Sequence, residues 1–188
     1  GCAVFPAVDA DGNVSGGLKL GGSSNGDCKQ APHGGQVYVR GSQLADRYAL
    51  MYSWFWPKDQ EFFGQGHRYD WESAVVFINN VNASAEDQIV IEVAASAHGQ
   101  YRKYAPPNPA VMQGNHAAIK YYTDGILDHS LDTYDNAPLG ENPFLPMIHW
   151  DQLSAAAQDT LQNFDFGNAN VPFKEGNFQR NLGLANAA

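Results

Sequence analysis

The stretch that most restricts the fold is Gly66-His67-Arg68-Tyr69-Asp70-Trp71-Glu72, set directly before the apolar run Ser73-Ala74-Val75-Val76-Phe77-Ile78. The run reads as a buried strand. The seven residues ahead of it carry five polar side chains, and unpaired charge is too costly to bury. These side chains must therefore neutralise one another or hold something from outside. If the strand begins by Asp70, alternation sets Asp70 and Glu72 on one face and Trp71 on the other. His67, in the approach loop, could fold back towards them. Two carboxylates on one face repel unless a cation or a proton lies between them. An oxygen-rich set with little nitrogen suits Mg²⁺ or Ca²⁺, with Mn²⁺ a further choice, better than zinc. The competing reading is a salt-bridged knot in which Arg68 pairs with Asp70 or Glu72.

Asp59 is the next candidate. It follows the aromatic stretch from Arg47 to Trp56, which holds Tyr48, Met51, Tyr52, Trp54, Phe55 and Trp56. That density predicts a central strand covered on both faces. Pro57-Lys58-Asp59 is expected to end it, and a loop from Gln60 to Gly66 would bring Asp59 to the heptad. Asp59, His67, Asp70 and Glu72 would then form one cation site.

The remaining elements are short. Strands are expected at Gln36–Arg40, before a turn at Gly41–Asp46, and at Asp87–Ala97, Ala118–Thr123 and Leu127–Leu131. Turns are expected at Asn79-Asn80 and Asp124-Gly125. His98 to Tyr101 reads as the start of a Pro-containing loop. After Pro146 the pattern turns helical: Asp151 is a candidate N-cap for a helix to about Asn163, and Gly176 to Ala188 suggests a second. Many short strands with few helices favour a mostly β chain, a β-sandwich flanked by helices, in one domain over 1–188. Residues 1–35 read as an arm rich in Gly, Asn and Ser.

Composition excludes some functions. Eleven Lys and Arg against twenty Asp and Glu give a net charge of −9, so no nucleic-acid footprint is expected. No apolar run is long enough for a membrane helix. The only cysteines, Cys2 and Cys28, read as one disulfide holding the arm of a secreted protein; two free thiols in a cytosolic one is the alternative. Sequons at Asn13 and Asn82 are compatible with secretion, and a start at Gly1 rather than Met is the form expected after processing. Asp128-His129-Ser130 has the residue types of a hydrolase triad, but neighbours on a strand point to opposite faces and cannot form the relay. Asp128 or His129 is better placed as a wall of the heptad's cavity.

Ala49-Leu50-Met51-Tyr52-Ser53-Trp54-Phe55-Trp56-Pro57-Lys58-Asp59 followed by the heptad closely resembles the necrosis- and ethylene-inducing-peptide-like family of secreted cytolysins. The likeness continues through Asp128-His129-Ser130-Leu131, Trp150-Asp151-Gln152-Leu153, Asp165-Phe166-Gly167 and Val171-Pro172-Phe173. It implies a β-sandwich similar to actinoporins and fungal lectins, and the single-disulfide subgroup with Cys2 and Cys28 paired. It also implies a divalent cation on Asp59, His67, Asp70 and Glu72. Arg68, His98, Asp128 and His129 are further ligand-binding candidates on the residues themselves. The implied partner is the sugar headgroup of glycosylinositol phosphorylceramide at the plant plasma membrane. Membrane damage, necrosis and immune responses follow, through binding rather than catalysis. Segment 49–72 resembles a peptide detected by plant immune receptors. A monomer in solution, secreted and acting at the host membrane surface, is expected, with Phe62 and Phe63 as candidate membrane-contacting aromatics. The family heptad has histidine where this chain has Tyr69; that position is not among the implied ligands, so the cation site should survive. The alternatives are a metal-dependent hydrolase of plant cell-surface glycan or lipid, and a non-toxic lectin-like module.

Overall fold

The computed structural model describes residues 1–188 except 61–63, 80–83, 85, 125–127, 136–143 and 187–188. The chain is mostly β. Its strands are β1 (Val37–Leu44), β2 (Arg47–Gln60), β3 (Gly66–Ile78), β4 (Val90–Ala97), β5 (Gln100–Tyr104), β6 (Met112–Gln113), β7 (His116–Ala117), β8 (Ile119–Asp124), β9 (Asp128–Thr133) and β10 (Met147–His149). Two helices follow, α1 (Ala155–Asn163) and α2 (Phe178–Ala185). A six-stranded sheet runs in the order β10-β1-β2-β3-β4-β5, antiparallel except for the β1–β10 edge.

Alternation along β2 and β3 gives the sheet two buried faces. One presents Met51, Phe55, Trp71, Val75 and Phe77 to Leu161, Phe166, Phe173, Phe178 and Leu182 from the helical segment. The other presents Trp56, Ala74 and Ala95 to Leu131, Ile119 and Tyr121 of the β8–β9 hairpin. Helices therefore cover one face and a hairpin covers the other, as in a sandwich.

Several boundaries differ from the sequence expectation. Strand β1 runs on to Leu44, because Gly41 leaves room for the Tyr48 hydroxyl, which a Cβ there would meet at 2.5 Å. Strand β2 does not end at Pro57 but continues to Gln60. The missing proline N–H removes one rung, and the Pro57 carbonyl is used by Leu18 N–H at 2.8 Å. His98 and Gly99 are not the start of a loop. Both have positive φ, +51° and +74°, and close a two-residue hairpin between Ala97 and Gln100, the turn that matches strand twist. Strand β5 follows it. Asp151 is spent in a 3₁₀ turn, Trp150–Gln152. Helix α1 begins at Ala155, where Ser154 Oγ accepts from Ala157 N–H at 3.1 Å, a regular N-cap. The Phe62-Phe63 loop, the Asn79-Asn80 and Asp124-Gly125 turns and the Asn82 sequon fall wholly or partly outside the described residues.

The arm takes the place of a strand beside the distal half of β2. Phe5 N–H reaches Phe55 O at 2.9 Å, and the Gly21 N–H reaches Gln60 Oε1 at 3.0 Å. Cys2 and Cys28 are disulfide-bonded across 26 residues. A closed loop of this size raises stability by about 3 kcal/mol, chiefly by restricting the unfolded chain. Urea unfolding with and without reductant should show that loss; two reactive thiols in the untreated protein would refute the pairing.

Candidate functional site

The β2–β3 register sets Asp59 opposite His67 and Trp56 opposite Asp70. In an undistorted strand His67 and Asp70, three apart, would point to opposite faces. They do not. Tyr69, between them, has φ +66°, a left-handed conformation uncommon for a side chain of this size. The break in alternation brings one ligand atom each of Asp59, His67 and Asp70 within 4.8 Å of one another. Asp59 and Asp70 are buried, and His67 is half-buried.

The Tyr69 carbonyl also fixes the chemistry of His67. It accepts from His67 Nδ1 at 2.6 Å, so that nitrogen carries the proton. In neutral imidazole, Nε2 is then the lone-pair atom, and it lies 3.8 Å from Asp59 Oδ2. A histidine oriented by a carbonyl on its far nitrogen is a common arrangement for a metal ligand.

Two further side chains, from the opposite layer, complete the walls. The Tyr121 hydroxyl donates to Asp70 Oδ2 at 2.9 Å. His129 donates its backbone N–H to Asp59 Oδ2 at 3.2 Å and its Nδ1 to Asp59 Oδ1. Tyr121 stacks between Trp56 and His129, with ring centres 4.0 Å and 4.5 Å away. Burial, then the charges of Asp70 and Asp59, push the Tyr121 phenol well above its ordinary value of 10.0. It is therefore a permanent donor to Asp70 at physiological pH. Tyr121 had no local sequence signal beyond its place in a strand.

The other expected residues lie as follows. Glu72 is not part of the converging trio; one strand step on, its Oε2 accepts from Ser96 Oγ, though its charge still reaches Tyr121. Arg68 forms no ion pair with Asp70 or Glu72. It donates to the Gly16 carbonyl in the arm and lies over the Tyr69 ring, which removes both the salt-bridged knot and Arg68 as a member of this acidic group. Lys58, the other nearby cation, is likewise turned to the arm, donating to Ser23 O and Gln60 Oε1 at 3.2 Å. His98 lies on Asp124 at 2.9 Å, outside the trio. Asp128 pairs with Asp124 through β9, and its side chain is outside the described residues. Ser130 Oγ donates to Asp124 and accepts from Arg102, whereas His129 turns to Asp59, so these two neighbours serve separate networks.

Asp124 joins three strands through Arg102, His98 and Ser130. The Arg102 hydrogen bond first, and His98 next, hold its carboxyl below the ordinary 3.8. A depressed carboxylate contributes stability above its unfolded value, and the contribution fades as pH falls through the folded one. In Arg102→Ala the Asp124 carboxyl should titrate at higher pH by NMR; an unmoved titration would remove Arg102 as the main cause.

The fold and trio define a β-sandwich protein with an acidic site whose donors, two carboxylates and one oriented imidazole, suit a divalent cation. The necrosis inducing protein (NPP1) family matches residues 1–185, and the chain belongs to it. It is 46% identical over 186 residues to an NLP effector protein of Phytophthora capsici, covering 98% of this chain and 76% of that one. Among solved structures, non-toxic HaNLP3 superposes with a TM-score of 0.92 at 34% identity, covering 100% of this chain and 85% of that one. NLPPya in complex with mannosamine superposes at 0.90 with 41% identity, covering 100% and 84%.

Proposed function

We propose that this protein is a secreted, cation-dependent cytolysin that binds the sugar headgroup of glycosylinositol phosphorylceramide at the plant plasma membrane. The observation that carries this is the convergence of Asp59, His67 and Asp70 while the neighbouring cations Arg68 and Lys58 are held by the arm. The sugar-bound relative supports a carbohydrate ligand. Among the described residues no helix is long and apolar enough to cross a membrane.

Asp59, His67 and Asp70 would hold the cation, Mg²⁺ or Ca²⁺, and Glu72 would join from the adjoining strand position. When bound, the cation supplies positive charge and coordination positions for sugar hydroxyls. The protein's own residues do the rest. Tyr121 and His129 keep the carboxylates of Asp70 and Asp59 aimed. The Tyr69 carbonyl holds His67 in the ligating tautomer. No residue is assigned a turnover step: His129 and Ser130 serve separate networks, and the activity is binding followed by membrane damage.

Segment 49–72 spans most of β2 and β3, with Met51, Phe55 and Trp71 buried in the core. Recognition of it by a plant immune receptor is therefore assigned to a peptide released from the folded chain. A second reading, a non-toxic binder, is favoured by the likeness to HaNLP3. Dye leakage from vesicles carrying glycosylinositol phosphorylceramide separates the two. Leakage that requires the lipid and is lost with chelator is expected. Binding without leakage supports the non-toxic reading, and cleaved lipid or glycan by mass spectrometry overturns the non-enzymatic one.

A further inference from the structure

A second cavity, of about 650 Å³, lies between the hairpin-side face of the sheet and residues 113–119. It shares Tyr121 with the cation site, but none of the cation's proposed ligands lines it. Its size falls within the roughly 300–1,000 Å³ of small-molecule sites, whereas packed interiors leave few voids larger than a water molecule. One wall is a line of aromatics on alternate positions of β2, Tyr52, Trp54 and Trp56, a shelf about 13 Å long at the strand rise. Trp56 is stacked on Tyr121. Tyr52 and Trp54 make no ring pair with another described aromatic, and both are half-buried along this cavity.

Small residues make part of the lining, together with the larger Leu131, Phe144, Leu145 and Met147. Tyr52 is paired with Ala74 across β3, and Val76, Ala117 and Ala118 also line the cavity. Among the described residues no Asp, Glu, Lys or Arg lines the cavity, so a charged occupant would lose its hydration without a countercharge from them. Apart from the hydroxyls of Tyr52, Tyr121 and Tyr134, the polar side chains among the described lining residues gather at the β6–β7 turn, where Gln113, Asn115 and His116 contribute amides and an imidazole. A long aromatic wall, described lining residues without Asp, Glu, Lys or Arg, and an amide-and-imidazole end match an amphiphile with one tail and a neutral head. We propose that this cavity binds a single-chain neutral lipid, with its tail along Tyr52, Trp54 and Trp56 and its hydroxyl head at Gln113, Asn115 and His116.

The test titrates N-phenyl-1-naphthylamine, a neutral dye that brightens in apolar sites, into the full chain, with monomeric 1-dodecanol as competitor. Saturable brightening, reversed by dodecanol and unaffected by glucosamine or Mg²⁺, is expected. Trp54→Ala removes the middle of the shelf and Ala118→Phe fills the space opposite. Each should weaken dye binding at least about tenfold while circular dichroism shows the native spectrum. Absence of saturable binding overturns the proposal, as does wild-type affinity in both folded variants. Displacement by phosphatidylcholine vesicles but not by dodecanol also overturns it, and would assign the surface to a bilayer instead. Loss of cation binding in Asp70→Asn leaves this readout unchanged, so the two sites fail or survive separately.

Discussion

Asp70→Asn is expected to cost at least about 100-fold in divalent-cation affinity, since removing an outer partner of a metal ligand alone costs roughly 10–100-fold. The substitution keeps the shape of the side chain and its capacity to accept from Tyr121, but removes a charge from the trio. The fold should survive, because Asp70 lies on the hairpin-side face while Trp71, its neighbour, carries the helix-side packing. Calorimetric titration of Mg²⁺ and Ca²⁺ into chelator-treated protein reads the effect. Undiminished binding would take Asp70 out of the site. Tyr69→His is the companion. Histidine tolerates positive φ better than tyrosine, and residue 69 offers the site only its carbonyl, so affinity should stay within about threefold, a shift under 1 kcal/mol. A large change would mean that the ring itself, packed on Phe55 and Phe166, sets the geometry.

Trp71→Ala should destabilise the protein by about 3–5 kcal/mol, the cost of truncating a large buried aromatic. The indole is buried and meets the rings of Tyr38, Phe55, Phe166 and Phe173 at centre distances of 5.3–5.8 Å. It joins the sheet to the segment between the helices, so the cavity left behind is lined by rings from both layers and cannot close by a local shift. Urea unfolding should show the lower midpoint with an unchanged slope. A loss under about 1 kcal/mol would mean that the aromatic cluster repacks, as volume-conserving cores can. Cation affinity, measured well below the melting temperature, should fall much less than in Asp70→Asn.

The limits of reading this chain locally show in particular residues. That Trp71 would oppose Asp70 and Glu72 follows from the period of two in a strand, and the structure keeps it. That Asp59 would approach His67 follows from two strands joined by a short loop. The union of His67 with Asp70 does not follow from any periodicity. An odd spacing separates them, and only the positive φ of Tyr69, packed against the arm at Gly17, overrides it. Arg68 next to acidic residues suggests an ion pair, but the Gly16 carbonyl took the guanidinium. Asp151 and Ser154 are both acceptable caps; the 3₁₀ turn at Trp150–Gln152 decided for Ser154.

The sequence by itself determined the strand-rich class, the alternation of the central hairpin, the helix-forming C-terminal segment and the membership of the heptad in an acidic, histidine-containing cluster. These follow from backbone periods and from the cost of burying charge, which act over a few residues. Tertiary structure alone decided that Tyr121 would join His129 in closing the site, that Glu72 would stand one step outside the trio, and that an aromatic shelf would line a second cavity. Those outcomes join segments tens of residues apart. They depend on how two sheet faces are covered at once, which no local pattern encodes.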